Sequence, residues 1–176
     1  MGLIRDFKVE DNGIFASGKF DSSSIFQGEM PVEIFHANGA SGEDAEKCIA
    51  HYNSLLEKPE MLEAIQSGLE KFFLFMYDEW QVMDFYEDIF KSLEPVMDAY
   101  KAGEKLVTFL HDPRMYVWPM PENETGYGIE CDCPWEPEHQ CMILIRNDKV
   151  LYVGPSDGDT PWQDEDSYYY AWDDEK

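Results

Sequence analysis

The spacing of apolar residues changes twice along this chain of 176 residues, and that double change restricts the folds open to it. Residues 4–7 and 14–20 read as strands around Asp11-Asn12-Gly13, a hairpin turn signal. A third strand-like run covers 30–35, with Pro31 at its start, where a missing N–H costs least. From Ser41 the period lengthens. Ser41 and Asp44 have capping-box spacing, and Ala45, Cys48, Ile49, Tyr52, Leu55 and Leu56 follow at helical intervals. Pro59 suits the first turn of a second helix, with Leu62, Ile65, Leu69, Phe72, Phe73 and Met76 as its apolar stripe. Over 78–110 the pattern predicts shorter helical pieces. Asp78 with Gln81 caps one, Pro95 starts another, Gly103 interrupts it, and Leu106, Val107 and Leu110 make a last turn stopped by His111-Asp112-Pro113. Alternation returns over 115–118, 127–133, 141–145 and 150–153, with a tight turn at Asn147-Asp148. Strands, then helices, then strands predict an α+β fold: antiparallel strands at both ends of the chain, a helical middle, and a single domain over 1–155. Residues 156–176 form an acidic aromatic tail, either disordered or docked.

Charge narrows the partners. With 13 Lys+Arg against 37 Asp+Glu the net charge is −24, a composition often seen in disordered chains. Here, however, 44% of residues are hydrophobic and 15% aromatic, enough to fold. A surface this acidic excludes nucleic acid and anionic lipid and favours cations or a basic protein. The longest apolar run, 72–77, is far too short to span a membrane, and the first ten residues carry four charges and no secretory signal. Met1-Gly2 lacks the Ser or Thr at position 6 that myristoylation requires, since Asp6 stands there. These features predict a cytoplasmic protein whose four cysteines are thiols or metal ligands rather than disulfides.

The densest chemistry lies at 131–141, where Cys131, Cys133, His139 and Cys141 could meet across a hairpin as a tetrahedral zinc site. Against that, structural zinc sites use two-residue spacers and both pairs here have one, so core thiols are the favoured reading. Glu136, Glu138 and His139 resemble acid–base equipment, but on a hairpin loop they are expected to be solvated. Phosphate-loop, nucleophile-elbow and metalloprotease motifs are all absent. Asp157-Gly158-Asp159 has carboxylates suited only to a weak surface cation. No cofactor and no catalytic residue is expected, so the chain reads as a non-enzyme.

The segment Trp135-Glu136-Pro137-Glu138-His139, followed by the apolar 141–145 and by Val150-Leu151-Tyr152-Val153-Gly154, resembles the end of a bacterial domain-of-unknown-function family with a W-D-x-E-H-G hairpin. Phe26-Gln27-Gly28-Glu29-Met30-Pro31-Val32-Glu33-Ile34 resembles its early strand, F-x-G-x-x-x-V-x-I, and Gly42-Glu43 the start of its helical middle. The likeness covers roughly residues 5–155. Glu136 stands where Asp is usual, and Gln140 replaces the glycine after His139. Some members resemble immunity proteins that bind and block polymorphic toxins, and the resemblance implies such a role without supplying catalytic residues. Trp135, Glu138 and His139 are given a structural role, with Trp135 packed on the core and His139 bonded to a carbonyl or carboxylate.

Charge and resemblance together predict a protein that binds a basic partner, such as a toxic nuclease. Carboxylates steer the encounter while aromatics anchor it, which assigns the interface to Trp162, Asp164, Glu165, Asp166, Tyr168, Tyr169, Tyr170 and Trp172. The alternatives are a zinc-binding protein or metal-dependent enzyme on the Cys/His set, and an assembly subunit.

Overall fold

A computed structural model describes residues 2–83 and 87–173. Residues 84–86 of the expected helical stretch and 174–176 of the tail lie outside them. Seven strands form one sheet in sequence order: β1 (Arg5–Val9), β2 (Ala16–Ser23), β3 (Gln27–Ile34), β4 (His111–Val117), β5 (Gly126–Asp132), β6 (Cys141–Arg146) and β7 (Lys149–Pro155). Between β3 and β4 come α1 (Gly42–Asn53), α2 (Pro59–Val82) and α3 (Glu87–Lys101). The strands expected at each end of the chain pair antiparallel among themselves, and one parallel seam, which the sequence did not foresee, joins the two sets. Val32, Glu33 and Ile34 of β3 pair in parallel with Met115, Tyr116 and Val117 of β4, while every other pairing is antiparallel. A helical excursion of this length lets β4 return in the same direction as β3, and so the two ends of the chain share one sheet.

Local chemistry explains most element boundaries. Gly13 adopts φ 66° in the first hairpin turn, and its N–H donates to the Glu10 carbonyl. Ser41 and Asp44 form a reciprocal cap: Ser41 N–H donates to Asp44 Oδ2 at 3.0 Å, and Asp44 N–H to Ser41 Oγ at 3.2 Å. Gly103 (φ 94°) ends α3, with Glu104 N–H returning to the Ala99 carbonyl.

Other boundaries differ from the sequence reading. Asp78 caps nothing, because α2 runs through it to carry the apolar stripe on to Trp80, whose Nε1 donates to the Trp135 carbonyl at 2.7 Å. Pro95 lies inside α3 rather than at a start, forgoing its own bond to the carbonyl four residues back. Residues 106–109 form a 3-10 turn, and His111-Asp112-Pro113 opens β4 instead of merely ending a helix. Pro31 sits inside β3, opposite Lys19 of β2 but before the three-residue ladder to β4, so no β4 carbonyl requires its N–H.

The helices cover one face of the sheet. Phe20, Met30, Val32, Ile34, Met115, Val117, Tyr127, Ile129 and Ile143 meet Tyr52, Ile65, Leu69, Phe72, Phe73 and Leu93 in the main core. A second, smaller core of Met142, Leu144, Leu151, Tyr152 and Tyr168 lies apart from it. Strand β6 is buried from Cys141 to Ile145, which accounts for its unbroken apolar run. No described helix is long and apolar enough to cross a membrane.

Candidate functional site

The loop between β5 and β6 is built around Trp135. Its side chain is fully buried, edge-on to Phe72 (6.2 Å between centroids) and Phe73 (5.3 Å) of α2. Cys131 faces Cys141 directly across the ladder, and the Cys133 sulfur lies 3.8 Å from the Glu136 carbonyl. All four cysteines are buried free thiols, and burial pushes each thiol up, Cys48 to about 12. Protonated thiols in an apolar core are neither nucleophiles nor ready ligands. His139 points elsewhere: it is half-exposed, with Nδ1 3.4 Å from Glu136 Oε1. Cys131, Cys133, His139 and Cys141 are therefore not a set whose ligating atoms converge within 4.8 Å among the described residues.

Glu136 organises this loop. Although only 7% exposed, its Oε1 accepts from the backbone N–H of Glu138 (3.2 Å) and of His139 (3.3 Å). Glu138 contributes that backbone contact. Gln140 closes the loop at φ 64°, its N–H returning to the Glu136 carbonyl and its Nε2 donating to Asp132 Oδ1 at 2.6 Å. A left-handed backbone here is one that glycine adopts without strain and glutamine adopts at a cost.

Beside the loop opens a cavity of about 440 Å³ lined by His111, Asp132, Cys133, Glu136, Glu138 and Gln140, with two prolines. A register shift in β4 between His111 and Arg114, with Asp112 at φ 48°, sets His111 opposite Asp132. There His111, Asp112 and Asp132 bring one nitrogen and two carboxylate oxygens within 4.8 Å of one another. One imidazole with two carboxylates suits a borderline divalent cation and leaves positions for water or substrate. Sequence reasoning treated His111-Asp112 as a helix stop. Asp132 lies 20 residues away and joins them only through strand register, so no local motif could have signalled the set.

A second polar cluster also escaped the sequence reading. His51 of α1 places Nδ1 2.9 Å from the Tyr127 hydroxyl and Nε2 3.0 Å from Lys58 Nζ and 3.1 Å from Asp148 Oδ1, while Lys58 also pairs with Asp148. Burial leads in pushing the imidazole below its ordinary 6.5, whereas bonds from Lys58 and then His51 lower Asp148. The cluster ties the β6–β7 turn to the end of α1.

The tail is docked. Tyr168 is buried, its ring 5.7 Å from Tyr152, and Tyr170 stacks on Tyr152 at 5.2 Å while donating to the Leu151 carbonyl at 3.1 Å. Trp172 reaches Phe72 (5.7 Å) and Phe75 (5.9 Å) of α2, and Trp162 covers Gly126 so closely that a Cβ there would lie 2.6 Å from its ring. Glu165 binds Arg146 at 3.0 Å and also pairs with Lys149. Of the eight tail residues assigned to an interface, Asp164, Glu165, Asp166 and Tyr169 are exposed, Glu165 while holding its ion pairs.

A family model described as a domain of unknown function, DUF6985, matches residues 5–160, and the chain belongs to this family. No curated protein and no solved structure matches it.

Proposed function

We propose that this family member is a non-catalytic acidic binding protein that docks a basic protein, in the manner of an immunity protein occupying the phosphate-binding groove of a toxic nuclease. The observation carrying this reading is a net charge of −24 on a chain that packs a hydrophobic core and all four thiols inside. Charge of that size on a folded surface accelerates association with a cationic partner and repels phosphates. Asp164, Asp166 and Tyr169 present both charge and an aromatic anchor on one segment. The purified protein is expected to bind the product of a neighbouring gene, with association slowing as salt rises from about 0.05 to 0.5 M because screening shortens the reach of charge. No binding to any neighbouring gene product at low salt overturns the reading.

A second reading rests on His111, Asp112 and Asp132, whose ligating atoms lie beside a cavity. It replaces the thiol set as the place where a divalent cation would bind. Calorimetric titration with Zn²⁺ and Mn²⁺ tests it: saturable binding lost in Asp132→Asn supports a site, and no saturable binding removes it.

A further inference from the structure

A different cavity, unrelated to the acidic surface, lies where the β2–β3 loop meets α2 and the 3-10 turn at 106–109. Its volume is about 300 Å³, and Ile25, Leu56, Leu62, Ile65 and Val107 supply aliphatic walls. Two polar atoms among the lining residues lack partners. Ser24 is 2% exposed with no hydrogen bond to its Oγ, and Gln66 Oε1 is buried in the same condition. Buried polar atoms are nearly always satisfied, so two orphans on residues that line one hollow call for a missing partner.

The surroundings keep those orphans in place. Ser22 Oγ donates to the Phe26 carbonyl, Phe26 N–H to the Tyr52 hydroxyl at 3.2 Å, and Ser23 N–H to Asn53 Oδ1 at 3.0 Å. Gln27 Nε2 donates to the Ser24 carbonyl at 2.7 Å. The loop is thereby pinned to α1 and cannot turn Ser24 outward at little cost. Gln66 is fixed as well, since its Nε2 donates to Glu70 Oε1 at 3.1 Å and so assigns the unpartnered atom as the carbonyl oxygen.

We propose that this cavity binds a small uncharged molecule with an apolar body and an amide or hydroxyl head. Aliphatic walls with a few placed polar groups are the usual make-up of a small-molecule site. The head must donate to Gln66 Oε1, which only accepts, and it can also accept from Ser24. A carboxylate would be drawn to Lys105 in the cavity lining but cannot donate to Gln66 Oε1, so that orphan stays unsatisfied. An alkylammonium would meet Lys105, which has no ion pair among the described residues. A neutral head avoids both conflicts.

Hexanamide is the probe, with hexanoate and hexylammonium as charged controls, titrated into the full chain and followed by NMR. Saturable shifts are expected at Ser24, Gln66 and the methyls of Leu62, Ile65 and Val107, with both controls at least about tenfold weaker. Ser24→Ala is expected to raise the Tm of the ligand-free protein, by removing an orphan hydroxyl, while weakening hexanamide about fivefold. Leu62→Trp, which fills the cavity, abolishes the shifts; its melting curve shows whether it folds, and Ser24→Ala stands independently if it does not. No saturable shift at these residues, equal binding of either charged control, or undiminished affinity in Ser24→Ala overturns the proposal.

Discussion

At the scale of single residues, His51 and Gln140 set measurable properties that no motif announced. Burial holds the His51 imidazole neutral below its ordinary 6.5, so the unfolded chain takes up a proton there before the folded one does. Its contribution to stability is full above about pH 6.5 and diminishes as the pH falls toward the lowered folded value. Asp148 acts at lower pH: its contribution is full above its ordinary 3.8 and is lost as the pH falls through its lowered folded value. Thermal melts from about pH 7.5 to 5 should show Tm declining, and His51→Gln, which cannot charge, should flatten that decline. Gln140 holds a left-handed backbone and a 2.6 Å hydrogen bond to Asp132. Ala and Gly both remove that bond, but only Gly relieves the backbone. Urea unfolding should therefore find Gln140→Gly more stable than Gln140→Ala by about 1 kcal/mol. The sequence placed Trp135 in the core because a large apolar ring near a turn has few other uses. It could not reveal that Glu136 would be the buried carboxylate accepting two backbone N–H groups, because that depends on the loop turning back over it.

At the scale of elements, period and punctuation were readable where they were local. The Ser41–Asp44 cap, the Gly13 turn and the Gly103 stop each follow from residues within a few positions of one another. Boundaries depending on distant contacts were not readable. α2 continues past Asp78 because Trp80 reaches the Trp135 carbonyl, and Pro31 is tolerated within β3 because β4 pairs only beyond it. The packing of α2 on β7 turns on Gly68: a Cβ there would lie 2.6 Å from the Cβ of Val153, which is itself buried. Gly68→Ala must push helix and strand apart despite its better helix propensity, and should destabilise by about 1–3 kcal/mol in denaturant unfolding. An unchanged midpoint would mean that this interface yields more readily than a packed core does.

At the scale of the whole molecule, the described tail runs past the β7 edge from the second core to the main one. Tyr168 joins Met142, Leu144, Leu151 and Tyr152, and Trp172 reaches α2, so β7 is not left as a bare edge. Removing residues 161–176 should lower Tm and raise the binding of a hydrophobic dye, whereas neutralising Asp164→Asn and Asp166→Asn should leave Tm nearly unchanged. The double neutralisation is thus the cleaner way to ask whether the tail's charge serves binding. By itself the sequence determined the α+β order, the strands at each end, the helical middle and the acidic net charge, because periodicity, caps and net charge are local or additive. Tertiary structure alone decided that β3 and β4 join in parallel, that His111 and Asp112 meet Asp132, that the thiols are core while His139 turns to Glu136, and that Ser24 and Gln66 share a hollow. Each of these is a contact between residues far apart in the chain, set by strand register and helix packing, which no local pattern encodes.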